Sequence, residues 1–175
     1  MPRRAALALL SLLVAALPAF ALYDPKPDAT LAAIEGEWKG SLTYRDYSDP
    51  DRIVTLPTEI FVTLGSPQEL VMHYIYDDGP GKVVHSYETM RFDFEGGRVT
   101  WISGVKERTE STGRIVSDSR EGATRRLVIE STDDGKVARH TYEFGADRFG
   151  MRRDEIDADG KSAFRDRYEL KRPAR

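Results

Sequence analysis

The chain contains no cysteine, only three histidines and only two tryptophans among its 175 residues. Without cysteine the fold has no disulfide to stabilise it, so its stability must come from the hydrophobic core. The same absence excludes attachment to a membrane through a lipidated cysteine. The sequence also lacks an excess of positive charge, since its formal net charge is −3, whereas nucleic-acid recognition requires clustered basic residues. We therefore expect no nucleic-acid partner.

Long hydrophobic runs are missing except at the amino terminus. Arg3 and Arg4 precede an apolar stretch over residues 5–17, and the short segment 18–21 closes it with an Ala-x-Ala pattern. This order is typical of a secretory signal peptide. A membrane anchor is the alternative, but the run is shorter than the ~20 apolar residues that span a bilayer. We expect cleavage after Ala21 and a periplasmic or secreted protein that does not span the membrane.

The rest of the chain divides into a short lead-in and one long domain. In the lead-in, residues 22–35, Asp28 is placed to cap a short helix over residues 30–34, which Gly36 ends. Residues 36–175 then show apolar and polar positions that alternate with period two, which predicts β-strands. We therefore expect a single β domain with one short helix at its start.

The strands are separated by turn sequences at short intervals. Each turn contains glycine, and most of them also contain aspartate; both residues suit the backbone conformations of a tight hairpin. They lie at residues 77–81, 95–97, 111–113, 133–135 and 157–160. The pattern predicts nine or ten strands, and in the last of them it places Phe164, Tyr168 and Leu170 on one face. No helix is long enough for a parallel crossover, so the sheet must be an antiparallel meander.

A meander of this length has two exposed edges, which closure into an up-and-down barrel removes. We therefore predict an all-β, lipocalin-like closed barrel, and a half-open sheet or a two-sheet sandwich remains the alternative. Charged residues on both faces of the late strands, over 150–155 and 164–167, argue against a membrane barrel, whose lipid-facing band is free of charge.

The first strand opens with Gly36, Trp38 and Gly40 in a Gly-x-Trp-x-Gly pattern, directly after the short helix. This opening resembles that of the calycin barrels, the group of lipocalins, fatty-acid-binding proteins and nitrobindin-like proteins. The resemblance implies that Trp38 plugs one end of the barrel and that a late arginine, Arg165 or Arg167, packs across it. Nitrobindin-like barrels bind haem through a histidine near the carboxyl terminus, which this chain lacks. Neither haem nor any other cofactor is predicted.

Polar side chains on otherwise apolar strand faces are the candidates for a ligand site, because a barrel interior should be apolar. Glu88, His140 and Asp166 stand out in this way. The predicted lining of the cavity consists of Tyr44, Tyr74, Tyr76, Glu88, Trp101, His140, Tyr142, Asp166 and Tyr168. Such a lining suits a small apolar or amphiphilic molecule. The alternative is an internal polar network that only stabilises the barrel, with Arg91 or Arg153 paired to a carboxylate after a bulge shifts the register.

The three histidines do not indicate a metal site, because no two of them are closely spaced in the sequence. His73 lies on the face opposite Met72 and Tyr74, which predicts exposure to solvent. No nucleophile motif or phosphate-binding loop is present, so no catalytic residue is assigned.

Three hypotheses of function remain. The first is a ligand-binding barrel with the loop over residues 45–52 at its mouth. The second is an acid–base enzyme that uses His140 with Glu88 or Asp166. The third is a structural or interaction module of the cell envelope with a filled core; no particular protein partner is predicted.

The leader makes a first prediction. When it is expressed in an exporting bacterial host, the protein should be recovered outside the cytoplasm, and its intact mass should be that of a chain starting at Leu22. The reason is that the small residues Ala19 and Ala21 suit signal peptidase. Replacing both alanines with arginine should block cleavage. An exported wild-type chain that retains residues 1–21 would contradict this assignment.

Overall fold

The computed structural model describes residues 27–133 and 135–174, so the predicted signal peptide lies outside the described residues. These residues form one helix and ten strands. Their bounds are α1 (Ala29–Ala33), β1 (Gly36–Arg45), β2 (Ile53–Ser66), β3 (Glu69–Asp77), β4 (Val83–Asp93), β5 (Arg98–Ser103), β6 (Thr109–Glu121), β7 (Thr124–Asp133), β8 (Lys136–Phe144), β9 (Phe149–Ile156) and β10 (Ser162–Lys171). Within this described part, no helix has the length and apolar character needed to cross a membrane.

All ten strands form one antiparallel sheet in sequence order, and the sheet closes because β1 pairs with both β2 and β10. The predicted closed antiparallel barrel with one short amino-terminal helix is therefore confirmed. The helix begins one residue earlier than predicted. Asp28 caps it as expected, because its carboxylate accepts hydrogen bonds from the backbone N–H groups of Thr30 and Leu31, at 2.9 and 3.2 Å.

The glycines that flank Trp38 have separate steric reasons. A Cβ at Gly40 would lie only 1.9 Å from the backbone oxygen of Glu169, since β10 approaches β1 closely at this point. Gly36 has a φ of +121°, a conformation that residues with a Cβ rarely adopt. The closure of the barrel therefore depends on glycine at position 40, and the entry into β1 depends on glycine at position 36.

Trp38 is fully buried at one end of the barrel. Its indole Nε1 donates a 2.7 Å hydrogen bond to the backbone oxygen of Ile34, at the end of α1. The ring of Phe149 meets it edge to face, with 5.5 Å between centroids. Leu31 and Ile34 of the helical segment are also fully buried. Together these contacts close the barrel at this end.

The arginine that packs across Trp38 is Arg172, so the prediction of Arg165 or Arg167 was wrong. The Arg172 guanidinium carbon lies 4.5 Å from the centroid of the Trp38 ring. Its N–H groups also donate hydrogen bonds of 2.6 to 3.0 Å to the backbone oxygens of Ala33, Glu35 and Ala146.

Strand pairing explains this correction. β10 runs antiparallel to β1 with Lys171 opposite Lys39, so only the residue after Lys171 reaches Trp38. Arg165 lies at the other end of β10, where its guanidinium carbon sits 3.9 Å over the ring of Tyr47. Arg167 forms a 3.2 Å ion pair with Glu169.

The predicted face of Phe164 was also wrong. The register between β9 and β10 shifts between Phe164 and Asp166, and such a bulge moves the residues before it to the opposite face. Phe164 is paired with Asp154 on the outer wall, where the guanidinium of Arg152 lies 5.5 Å from its ring centroid. Asp166 keeps its inward orientation, as predicted.

Residues 111–113 form part of β6 and not the predicted turn. Gly113 is needed there because a Cβ would lie 2.7 Å from the ring of Trp101 on the neighbouring strand β5. The glycine is thus required where a side chain packs closely against the backbone of a strand. From the sequence alone, such a glycine cannot be distinguished from a turn glycine.

Arg172→Ala should lower the free energy of unfolding by about 1–2 kcal/mol, because it removes charged hydrogen bonds to backbone oxygens and the contact with Trp38. Arg91→Ala is the matched control, since it removes only an exposed ion pair with Glu69 and should cost about 0–1 kcal/mol. Urea unfolding followed by tryptophan fluorescence measures both. Equal losses for the two variants would show that Arg172 does not secure this end of the barrel.

Candidate functional site

The interior of the barrel differs between its two ends. The end that Trp38 closes is packed with apolar side chains, and fully buried examples are Ile60, Leu70, Phe92, Phe144 and Phe149. The opposite end contains a cavity of about 280 Å³. Its lining combines apolar Leu42, Leu56 and Val84, aromatic Tyr44, Tyr47, Tyr76 and Tyr168, and charged Asp78, Arg153 and Asp166.

An ion pair between Arg153 and Asp166 forms the charged wall of the cavity. These residues are direct neighbours on β9 and β10, and an Arg153 guanidinium nitrogen lies 2.6 Å from Asp166 Oδ2. Burial raises the pKa of Asp166, while the charge of Arg153 acts in the opposite direction. Arg153 Nε is buried and has no hydrogen-bond partner within the described residues, although buried donors are normally paired.

Two tyrosine hydroxyls in the wall of the cavity are hydrogen-bonded to each other. The Tyr76 and Tyr168 oxygens are 2.9 Å apart, and burial raises the pKa of Tyr76 to about 12. Burial also raises the pKa of Tyr168 well above its usual value. Both phenols are therefore neutral near pH 7, so each can donate and accept a hydrogen bond.

Glu88 lies deeper in the barrel. The hydroxyls of Tyr74 and Ser103 each donate a hydrogen bond to its carboxylate, and both bonds are long, at 3.4 Å. Hydrogen bonds of this length compensate poorly for the loss of water. Burial therefore raises the pKa of Glu88 to about 7, which makes this carboxyl a proton donor or acceptor close to neutral pH.

His140 also faces the interior, beside the ring of Trp101 at 4.9 Å between centroids. Its Nε2 shares a 3.1 Å hydrogen bond with Ser131 Oγ. Burial, followed by the charge of Arg153 on the neighbouring strand, lowers the pKa of His140 to about 4. The imidazole is therefore neutral over the physiological range.

The acid–base hypothesis required His140 to lie within hydrogen-bond reach of Glu88 or Asp166. Across residues 27–133 and 135–174, no hydrogen bond joins His140 to either carboxyl group, and the partner of His140 is Ser131. Glu88 and Asp166 have their own separate partners. The geometry that this hypothesis predicts is absent from the described part of the chain.

The predicted site residues fall into two groups. Tyr44, Tyr76, Asp166 and Tyr168 line the cavity. The other five lie deeper in the interior: Tyr74, Glu88, Trp101, His140 and Tyr142. Trp101 and Tyr142 are joined by a 2.9 Å hydrogen bond from the indole N–H to the tyrosine oxygen, so they form part of the buried wall beneath the cavity.

Sequence reasoning did not include Tyr47 and Arg153 among the site residues. Tyr47 belongs to the loop that was predicted to flank the mouth, and it lines the cavity. Arg153 was considered only as the partner of a carboxylate, which it is; Arg91 instead pairs with Glu69 on the outer wall. In the part that the structure describes, no group of three or more His, Cys, Asp or Glu side chains is arranged to hold a metal ion.

The closed ten-stranded meander, with a short helix over a buried tryptophan, is a calycin-like barrel. Its fold is similar to the crystal structure of Rv2717c from M. tuberculosis, with a TM-score of 0.59 and 12% sequence identity over 85% of this chain and 100% of that one. It is also similar to the S-type phycobiliprotein lyase CPES from Guillardia theta, with a TM-score of 0.55 and 10% identity over 83% and 92% of the two chains.

At these low identities the likeness concerns the fold alone. No protein-family model matches the chain, and a search of curated proteins finds no match to its sequence. The comparisons therefore support the barrel fold and indicate no particular family.

Glu88 and His140 should affect the pH dependence of stability in opposite directions. The folded-state pKa of Glu88 is raised from 4.5 to about 7, so its contribution to stability is lost as the pH rises through this range. The folded-state pKa of His140 is lowered from 6.5 to about 4, so its contribution grows as the pH rises. Between pH 4.5 and 6.5 the two effects largely cancel in the wild type.

Glu88→Gln should therefore make the free energy of unfolding rise more steeply with pH than in the wild type, and His140→Asn should make it fall. Each change amounts to about 1.4 kcal/mol per pH unit at most. Urea unfolding at half-unit pH steps measures the slopes. If both variants keep the wild-type slope, neither group titrates in the way described.

Proposed function

We propose that this protein is an exported barrel that binds a small apolar or amphiphilic molecule in the cavity opposite Trp38. The observation that carries the proposal is the cavity itself, about 280 Å³ in volume, with apolar, aromatic and charged residues on its different walls. Pockets that bind small molecules have this composition, in which mostly apolar walls are combined with a few polar groups that orient the ligand.

The distribution of polar groups indicates how such a molecule would lie. Its apolar part would contact Leu42, Leu56 and Val84. A polar group that accepts hydrogen bonds would lie near Arg153, whose buried Nε has no partner in the described residues and is costly to leave unpaired. The hydroxyls of Tyr76 and Tyr168 can bond to either a donor or an acceptor.

The cavity also bears on the third hypothesis, in which the core is filled and the protein works only through its surface. The buried apolar core extends as far as Tyr76 and Tyr168, and these two residues also line the cavity at the open end. Protein interiors are normally close-packed, so a cavity of this size with ordered polar walls favours a ligand over a purely structural role.

Export is the other part of the proposal. The basic start, the apolar run and the Ala-x-Ala ending over residues 1–21 support transport out of the cytoplasm. The chain has no cysteine, so the barrel does not depend on disulfide formation in either compartment. A binding protein in the periplasm or the medium could then carry or buffer a molecule with low solubility in water.

The proposal is tested by a native mass spectrum of the protein purified gently from an exporting host, before and after organic extraction. We expect a reproducible extra mass that extraction removes. Val84→Trp should abolish this mass, because Val84 lines the cavity and an indole would fill it. A bare polypeptide mass in the wild type would contradict the proposal.

Val83→Trp is the matched control. Val83 precedes Val84 on β4, is 58% exposed and faces the opposite way, so the same substitution adds the same ring outside the barrel. This variant should keep the extra mass. If both variants lose it, or both keep it, the ligand does not occupy this cavity.

A further inference from the structure

His73 and His85 lie side by side on the outer wall, away from the cavity. His73 is opposite Tyr87 and His85 is opposite Ile75 in the pairing of β3 with β4, so the two histidines form a diagonal pair. His73 Nε2 and His85 Nδ1 are 2.9 Å apart, and the ring centroids are separated by 5.1 Å. The two residues are twelve positions apart in the sequence, so only the register of these strands brings them together.

Neighbouring aromatic rings hold His73 in its orientation. The Tyr87 ring is nearly parallel to it, with 4.3 Å between centroids and an angle of 5° between planes. Phe61 lies on β2 opposite His73, at 6.1 Å between centroids. Both Phe61 and Tyr87 are 39% exposed. The pair is therefore partly ordered in advance and is still reachable from solvent, which lowers the entropic cost of binding an ion.

The hydrogen bond between the two rings leaves a nitrogen of each histidine facing the other. Burial, together with the charge of His85, lowers the pKa of His73, and two cationic rings at this distance would repel each other. A neutral imidazole has one nitrogen with a free lone pair. If the ring that donates in the present hydrogen bond moves its proton to its other nitrogen, both facing nitrogens can bind an ion without net loss of a proton.

We propose that His73 and His85 form a surface site for a divalent transition-metal ion of the Cu²⁺ or Ni²⁺ type. The 2.9 Å between the facing nitrogens is the length of their hydrogen bond, and a rotation of the exposed His85 ring would let both nitrogens face one ion at about 2.0–2.1 Å. Imidazole is a good ligand for these ions, and among the divalent first-row metals the affinity of such a site rises through Ni²⁺ to a maximum at Cu²⁺. Cu²⁺ and Ni²⁺ are therefore the ions that two imidazoles, completed by water, should hold best.

Water would complete the coordination of the ion. Within the described chain, no third histidine, aspartate or glutamate is close enough to form a three-ligand group. A site of two imidazoles and water binds reversibly and leaves the ion open to exchange, unlike a closed structural site. It is independent of the interior cavity, so it does not depend on the proposed function.

The test is a titration of the untagged protein with Cu²⁺, monitored by electron paramagnetic resonance. We expect a single tetragonal Cu²⁺ species whose hyperfine structure shows nitrogen ligation from imidazole. His73→Ala and His85→Ala should each abolish that species, since one imidazole and water hold the ion far less well than two. The double variant His73→Ala/His85→Ala provides the baseline for binding at the amino terminus.

His140→Asn is the matched control, because it also leaves two histidines but removes the one that faces the interior. It should retain the species. Thermal unfolding without metal checks that each variant, including the interior His140→Asn, remains folded. A wild-type spectrum identical to that of the double variant, or equal binding by all single variants, would overturn the proposal.

Discussion

The hydrogen-bonded pairing of β1 with β10 is the interaction on which the rest of the structure depends. It closes the sheet, so the outermost strands of the meander have no free edge. It also sets Lys39 opposite Lys171 and Tyr44 opposite Asp166. The pairing of Lys39 with Lys171 places the next residue, Arg172, at the Trp38 end, and the pairing of Tyr44 with Asp166 places Asp166 at the open end. Gly40 permits the close approach of the two strands.

Closure produces an interior with two different halves. Near Trp38, apolar side chains fill the barrel and supply the stability that no disulfide provides. Towards the mouth, buried polar groups replace them, and each such group costs free energy unless it is paired. The Arg153–Asp166 pair and the two facing tyrosine hydroxyls meet part of that requirement. Among the described residues, Arg153 Nε has no partner and Glu88 has only long hydrogen bonds, which agrees with the proposed ligand site because buried polar groups in an optimised core are paired.

The architecture could be predicted from the sequence because period-two alternation and glycine turns are local signals. The inward orientation of Glu88, His140 and Asp166 followed from the same alternation. What failed depended on relations between distant strands. The bulge after Phe164 has no local signature, Arg172 could be assigned only with the β1–β10 register, and Gly113 was mistaken for a turn because its neighbour Trp101 comes from another strand. The diagonal His73–His85 pair was missed for the same reason.

In the proposed function, the open end of the barrel holds a small molecule against Arg153 and the tyrosine hydroxyls. The most direct measurement is a crystal structure of the protein purified from an exporting host without organic extraction. We expect electron density that belongs to no part of the chain, inside the cavity and in contact with Arg153, Tyr76 and Tyr168. A cavity filled by the protein's own side chains, or containing only ordered water, would contradict it.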